Sequence, residues 1–195
     1  MNTALTQLRR PSLGIDIAAG DIASVRHIDL ALDCGGYHRL IIRDARRRQA
    51  LIAAIEASGL AAVVPSTGRL LANLKVWENI ILPLAYHGSP MVAELELRAL
   101  ELFDEFGYGG ARAQALTSGM PDRLDKFERR LAAFARALLA EPEILVLDAT
   151  ADGLGQQQRA QALLFGAAFL RRFPFRTVVH VEPEQPLAES GWVEI

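Results

Sequence analysis

Cysteine occurs once in these 195 residues, as Cys34. A single thiol excludes an internal disulfide framework and fits a reducing compartment. Cys34 itself reads as an ordinary small residue near a turn. Long apolar runs are missing as well: none approaches the roughly 20 residues that cross a bilayer. Met1 to Arg10 lacks the apolar centre of a secretory leader. Charge of one sign is scarce too. The formal net charge is −2, so no broad field for nucleic acid is expected. No internal repeat or low-complexity segment stands out. With 51% hydrophobic and 23% charged residues, the composition is that of a globular chain. Its length suffices for one domain with a core. Any membrane role is expected to be peripheral, through a partner.

Organisation centres on Glu141-Pro142-Glu143-Ile144-Leu145-Val146-Leu147-Asp148 and the alanine-rich helix before it, Arg129 to Ala140. A continuous apolar run of this kind predicts a central strand buried on both faces. An acid at its carboxyl end stands where α/β folds place ligand chemistry. Leu13 to Ile17 and Ile22 to Leu32 alternate apolar with polar residues and predict antiparallel strands with one wet face. Tyr37 to Ile42 predicts a short strand, Asp44 to Ser58 a helix stopped by Gly59, and Ala61 to Val64 another strand. Together these three form a βαβ unit. Further expectations are a helix over Met91 to Gly107, a loop over Gln114 to Pro121 and a helix over Gln156 to Phe173. Strands are expected at Arg176 to Val181 and Trp192 to Ile195.

Two stretches carry a resemblance. Ala135-Arg136-Ala137-Leu138 followed by Pro142 and the run to Asp148 is similar to the Walker B region of ABC-transporter ATPases. Ser66 to His87, with Leu70-Leu71, Asn73-Leu74, Val76-Trp77-Glu78-Asn79 and Leu82-Pro83-Leu84, resembles their Q-loop and the helix after it. It is closest in character to the ATPases of MCE-type lipid transport. The resemblance runs from about Leu13 to Pro183. It implies an α/β, P-loop-NTPase-like ABC ATPase fold with a mostly parallel core sheet, an N-terminal antiparallel β part and a small helical subdomain over about 77–140. All of this would form one domain over 1–195, without the longer C-terminal tail of complete family members.

The family's chemical residues do not carry over in the same way. A phosphate loop needs glycines whose amides wrap the phosphates, a lysine and a hydroxyl for magnesium. The corresponding residues are Ile42 to Ala50, with no glycine; Arg48 stands at the lysine position, and Gln49 and Ala50 at the hydroxyl pair. The Q-loop glutamine position is Ser66, or Pro65 with a slip of one. Leu116-Thr117-Ser118-Gly119-Met120 mimics the signature, but counting back from Leu138 places it at Leu124-Asp125-Lys126-Phe127-Glu128. There Asp125 reads as a helix N-cap and Glu128 as its N3 partner. Ala149 stands at the catalytic glutamate, Gly155 at the D-loop aspartate, and Pro183, or Glu182 with a slip, at the switch histidine. His180 reads as a structural histidine within a strand. The arginines at 43, 46, 47 and 48 read as a solvated charged turn, part-paired to Asp44.

The leading expectation is therefore a degenerate homologue of the ATP-binding subunit, a scaffold or regulatory subunit of a transport complex, possibly for lipid, that does not hydrolyse ATP and needs no cofactor or metal. Asp148 is the Walker B remnant. Leu70, Leu71, Leu74 and Trp77 are the candidate docking residues for a membrane permease; another ABC ATPase subunit or a second copy are the other partners considered. One alternative is an ATPase with a divergent phosphate site, using Arg48, Gln49, Ser66 and Asp148 with ATP and magnesium. A second is an anion or lipid-headgroup regulator using the arginines.

Overall fold

The computed structural model describes residues 12–16, 29–33, 35–85, 92–184 and 192–194. Strands β1 (Ser12–Asp16) and β2 (Asp29–Asp33) pair antiparallel, Ser12 opposite Asp33 and Asp16 opposite Asp29. They overlap the two alternating runs, each passing them by one residue, Ser12 and Asp33; residues 17 and 22–28 of that expectation lie outside the described ones. Five parallel strands form the core sheet: β3 (Tyr37–Ile41), β4 (Ala61–Pro65), β5 (Ile144–Asp148), β6 (Thr177–Glu182) and β7 (Trp192–Glu194). Their order is β4-β5-β6-β3-β7.

β5 lies between β4 and β6 and is buried on both sides, as its unbroken apolar run requires. The period of two divides its side chains. Ile144 and Val146 join Leu51, Ile52 and Ile55 of helix α1 (Ala45–Glu56); Leu145 and Leu147 face the larger core. The βαβ expectation needs one amendment. β3 and β4 are parallel, but β6 and β5 stand between them, so α1 strides across two strands.

The larger core is built around α5 (Lys126–Leu139), which packs on α2 (Val76–Ala85), α3 (Val92–Glu105) and β4. α5 is buried nearly all round; only such an apolar, alanine-rich helix fits the centre of a domain. Phe134 stacks on Phe165 at 4.5 Å between centroids, and Phe106 meets Phe165 edge-on at 5.2 Å. Asp125 caps α5. Its carboxylate accepts from the Glu128 amide at 2.7 Å, while Glu128 accepts from the Asp125 amide at 3.0 Å. This is the reciprocal capping box read from the sequence.

Two expectations fail. Gln114 to Pro121 is not a loop: Ala111–Ser118 forms helix α4, followed by a single 3₁₀ turn at Pro121–Arg123. The glycines at 110 and 119 flank a short run of good helix formers, and burial of Ala113 and Leu116 fixes it. The single helix expected over 156–173 is two, α6 (Gln156–Leu163) and α7 (Phe165–Arg172). At Leu164 the backbone tightens, its amide donating to the Gln161 carbonyl at 3.0 Å. Leu164 faces solvent while Phe165 and Phe169 turn into the core.

Candidate functional site

The carboxyl ends of β3, β4, β5 and β6 bring Ile42, Ser66, Asp148 and Glu182 to one edge of the sheet. The turn from β3 to α1 is only Ile42-Arg43-Asp44. Ile42 prolongs the ladder by donating to the Glu182 carbonyl at 2.9 Å. Asp44 then caps the helix, its carboxylate accepting from the amides of Arg46 at 2.8 Å and Arg47 at 2.9 Å. The backbone hydrogen bond from Arg47 is the main cause holding Asp44 below its ordinary value. The helix end that could receive an external anion thus already faces a carboxylate from its own chain.

One turn later, Arg48 Nε lies 3.1 Å from Asp148 Oδ1, both side chains largely buried. The contact is an ion pair without a directed hydrogen bond. Burial pushes the Asp148 carboxyl up; Arg48 pulls it down, and the like charge of Glu182 adds to the rise. Asp44, the expected partner of part of the arginine run, binds the backbone amides of Arg46 and Arg47, whose charges add to its lowering, while Arg48 pairs with Asp148.

Behind Asp148 lies a buried polar set. Ala149 adopts φ +50° while its amide donates to the Val181 carbonyl at 2.8 Å. Glu182 is 1% exposed and accepts from the Ala151 amide at 2.9 Å. His180 Nε2 lies 3.0 Å from Glu182 Oε1 and 3.1 Å from Thr150 Oγ1; its Nδ1 lies 3.0 Å from the Tyr37 hydroxyl. A ring with its proton on Nε2 satisfies both sides, Tyr37 donating to Nδ1. His180 is therefore an interior residue with partners, as its place within a strand suggested.

Arg130 was not singled out from the sequence. It is 3% exposed; Nε donates to the Ser66 carbonyl, Nη1 to that of Thr150 and Nη2 to that of Asp152, each at 2.7 Å. Its signal was positional, since Arg130 falls inside the buried stripe Phe127, Leu131, Phe134, Leu138 at helical spacing. Of the candidate phosphate-site residues, Arg48 and Asp148 meet. Ser66 offers its carbonyl to Arg130. Gln49 is exposed and, with Arg46, Ala50 and Ala53, lines an open hollow of ≈ 430 Å³.

The candidate docking residues lie on the loop before α2 and on α2 itself. Leu70 and Trp77 pack against the core, Leu74 is half-buried and Leu71 is 48% exposed. Asn79, fully buried, holds this loop. Its Oδ1 accepts from the Leu71 amide at 2.6 Å, and its Nδ2 lies within 3.2 Å of the carbonyls of Leu71, Leu74 and Lys75. Beside it a cleft of ≈ 360 Å³ is lined by Lys75, Trp77, Glu78, Glu96, Leu100 and Gln114. No helix among the described residues is long and apolar enough to cross a membrane.

Comparison with known proteins places this geometry. No protein-family model matches the chain. Two curated relatives are methionine import ATP-binding proteins MetN 1 from two strains of Pseudomonas fluorescens. Each is 28% identical, over 118 residues in one and 134 in the other. The matches cover 57% and 66% of this chain but only 34% and 38% of the relatives, so the chain aligns with little more than a third of their length. Among solved structures, the dimeric ABC transporter cassette MJ0796 superposes with a TM-score of 0.70 at 18% identity, covering 87% of this chain and 86% of that one. Its post-hydrolysis form bound to ADP and Pi gives 0.66 at 17% identity, covering 86% and 84%. The protein cbiO1 of Clostridium perfringens, part of the ABC transporter complex cbiONQ, gives 0.65 at 12% identity, covering 87% and 77%. The fold is that of ABC ATPase cassettes, and the family-level resemblance read from Ser66–His87 and Glu141–Asp148 is borne out.

Proposed function

We propose that this homologue of ABC-transporter ATP-binding subunits acts as a docking or scaffold subunit of a transport complex without hydrolysing ATP. The observation that carries the reading is the self-occupied edge of the sheet. Asp44 lies on the first amides of α1, and Arg48 lies on Asp148. A magnesium nucleotide needs the reverse arrangement: free amides and a cation for the phosphates, and open oxygen ligands for the metal. Residues 42–50 offer no glycine to wrap a phosphate and no hydroxyl to reach a metal. Asp148, the carboxylate left at the edge, is covered by a guanidinium. A buried Ala149 stands where the resemblance puts the general base for water, and a methyl group cannot take a proton.

The alternative of a divergent ATPase using Arg48, Gln49, Ser66 and Asp148 draws less support. Its first and last members neutralise each other, Ser66 turns its carbonyl to Arg130, and Gln49 faces solvent. The anion-regulator alternative is left with Arg43, Arg46 and Arg47, since Arg48 lies on Asp148.

The docking side of the reading rests on Leu71, exposed at a loop whose backbone Asn79 fixes. A preordered apolar contact loses little entropy on binding. The partner is a membrane permease, which places the chain at the cytoplasmic face of the membrane without spanning it. The cargo is set by that partner. The relatives' names point to methionine import and the character of Ser66–His87 to lipid; purification of the native complex from membranes decides between them. Leu71→Asp keeps stability within about 0.5 kcal/mol, as exposed substitutions do, but loses the permease from the purified complex. Asp148→Asn keeps both. Retention of the permease by Leu71→Asp, or its loss in a folded Asp148→Asn, contradicts the reading.

A further inference from the structure

The helical layer and the sheet edge meet at one buried guanidinium. Ser66 begins the loop after β4, and Thr150 and Asp152 lie in the turn after β5. These two segments flank Asp148, and in the sequence they are far apart. Arg130 projects from the second turn of α5 and donates to a carbonyl of each, with three contacts of 2.7 Å. These are short, charge-assisted bonds in the fork geometry that only arginine supplies.

Each segment also touches α5 elsewhere. Gly68, at φ +77°, lies so near α5 that a Cβ there would stand 2.7 Å from the Arg129 carbonyl oxygen. Arg136 donates to the carbonyls of Arg69 at 3.0 Å and Gly68 at 3.2 Å. On the other segment, Lys126 reaches the Gly153 carbonyl at 3.5 Å, and just beyond it, on α6, Gln158 donates to Asp125 Oδ2 at 3.1 Å. A loop held at several points along one helix cannot slide unless the helix moves with it.

We propose that Arg130 is a built-in latch, which holds the loop after β4 and the turn after β5 on α5 in one arrangement that no ligand forms or releases. The proposal rests on the reading of this chain as a subunit without a nucleotide and names the regulation that such a subunit has lost. The surface around Leu71, on the same loop, is thereby presented constantly.

The test is hydrogen exchange on the full chain, with and without Mg-ATP, in wild type, Arg130→Lys and Arg130→Met. In wild type, 66–70, 149–155 and the first turns of α5 open together as denaturant is raised, and Mg-ATP changes none of them. Arg130→Lys keeps the charge but loses the fork. Both segments then exchange faster by roughly tenfold to a hundredfold, the equivalent of losing one or more charged hydrogen bonds, while β6 is unchanged. Arg130→Met goes further. Separate opening of the two segments in wild type overturns the latch even if neither variant folds, and so does unchanged exchange in Arg130→Lys. Protection gained on adding Mg-ATP overturns instead the nucleotide-free reading, whatever the Lys comparison gives.

Discussion

Arg48 and Asp148 are buried together, and what each costs alone differs. Arg48→Ala leaves a carboxylate in a poorly solvated place without its cation and is expected to cost about 1–3 kcal/mol. Asp148→Asn removes the charge that burial opposes and is expected to cost less than about 1 kcal/mol. The double variant Arg48→Ala/Asp148→Asn should fall below the sum by about 1 kcal/mol, measured by urea unfolding as a double-mutant cycle. The pH dependence has a definite sign. The native carboxyl of Asp148 lies above its ordinary value of 3.8, so the native state binds its proton more tightly than the unfolded chain. Stability from this group is therefore lost as pH rises from 3.8 through the native value. Asp44 behaves oppositely. Its native value lies below 3.8, so its contribution is present above 3.8 and is lost as pH falls through the native value. Wild type should accordingly lose ground to Asp148→Asn as pH rises through the first window; a flat difference contradicts the burial of Asp148. At this scale the sequence was legible in part. The apolar run marks Asp148 as a strand end and the helix start sets Arg48 in its first turns, but their pairing needed the sheet to bring β3 and β5 to one edge. Arg130 was hidden because an arginine is exposed by default; only its place in an apolar stripe marked it. Asn79 was hidden in the same way, between Val76 and Ile80 on the buried face of α2.

Elements read from periodicity and caps came through best. β5 is the central strand that its apolar run demands, and α5 begins where Asp125 and Glu128 make a capping box. α4 was missed because its eight residues are too few to show a period and lie between glycines that mark turns. The break between α6 and α7 was missed because Leu164 is a good helix former; tertiary packing of Phe165 and Phe169 overrides it. The loop before α2 depends on one side chain from the helix that follows. Asn79→Ala removes the acceptor for the Leu71 amide and donors to its neighbours' carbonyls, so a cost of about 2–3 kcal/mol is expected. Limited proteolysis should then cut within 70–75 while α5 stays intact. Unchanged stability, or cleavage spread through the chain, contradicts the assignment of Asn79 as the local anchor.

The whole molecule keeps a scaffold while its sheet edge is filled from within. The parallel sheet and the helices around α5 follow the apolar pattern; the ABC cassette fold came from the resemblance of two stretches, Ser66–His87 and Ala135–Asp148. A ligand site depends on a few backbone angles and polar atoms; at this edge the chain has a three-residue turn, a capping carboxylate and an ion pair. The most direct measurement is calorimetric titration of the full chain with Mg-ATP, repeated with Arg48→Ala and Asp148→Ala. The account predicts no heat of binding in any of the three. Micromolar affinity in wild type, abolished in either variant, contradicts it and makes Arg48 and Asp148 nucleotide ligands.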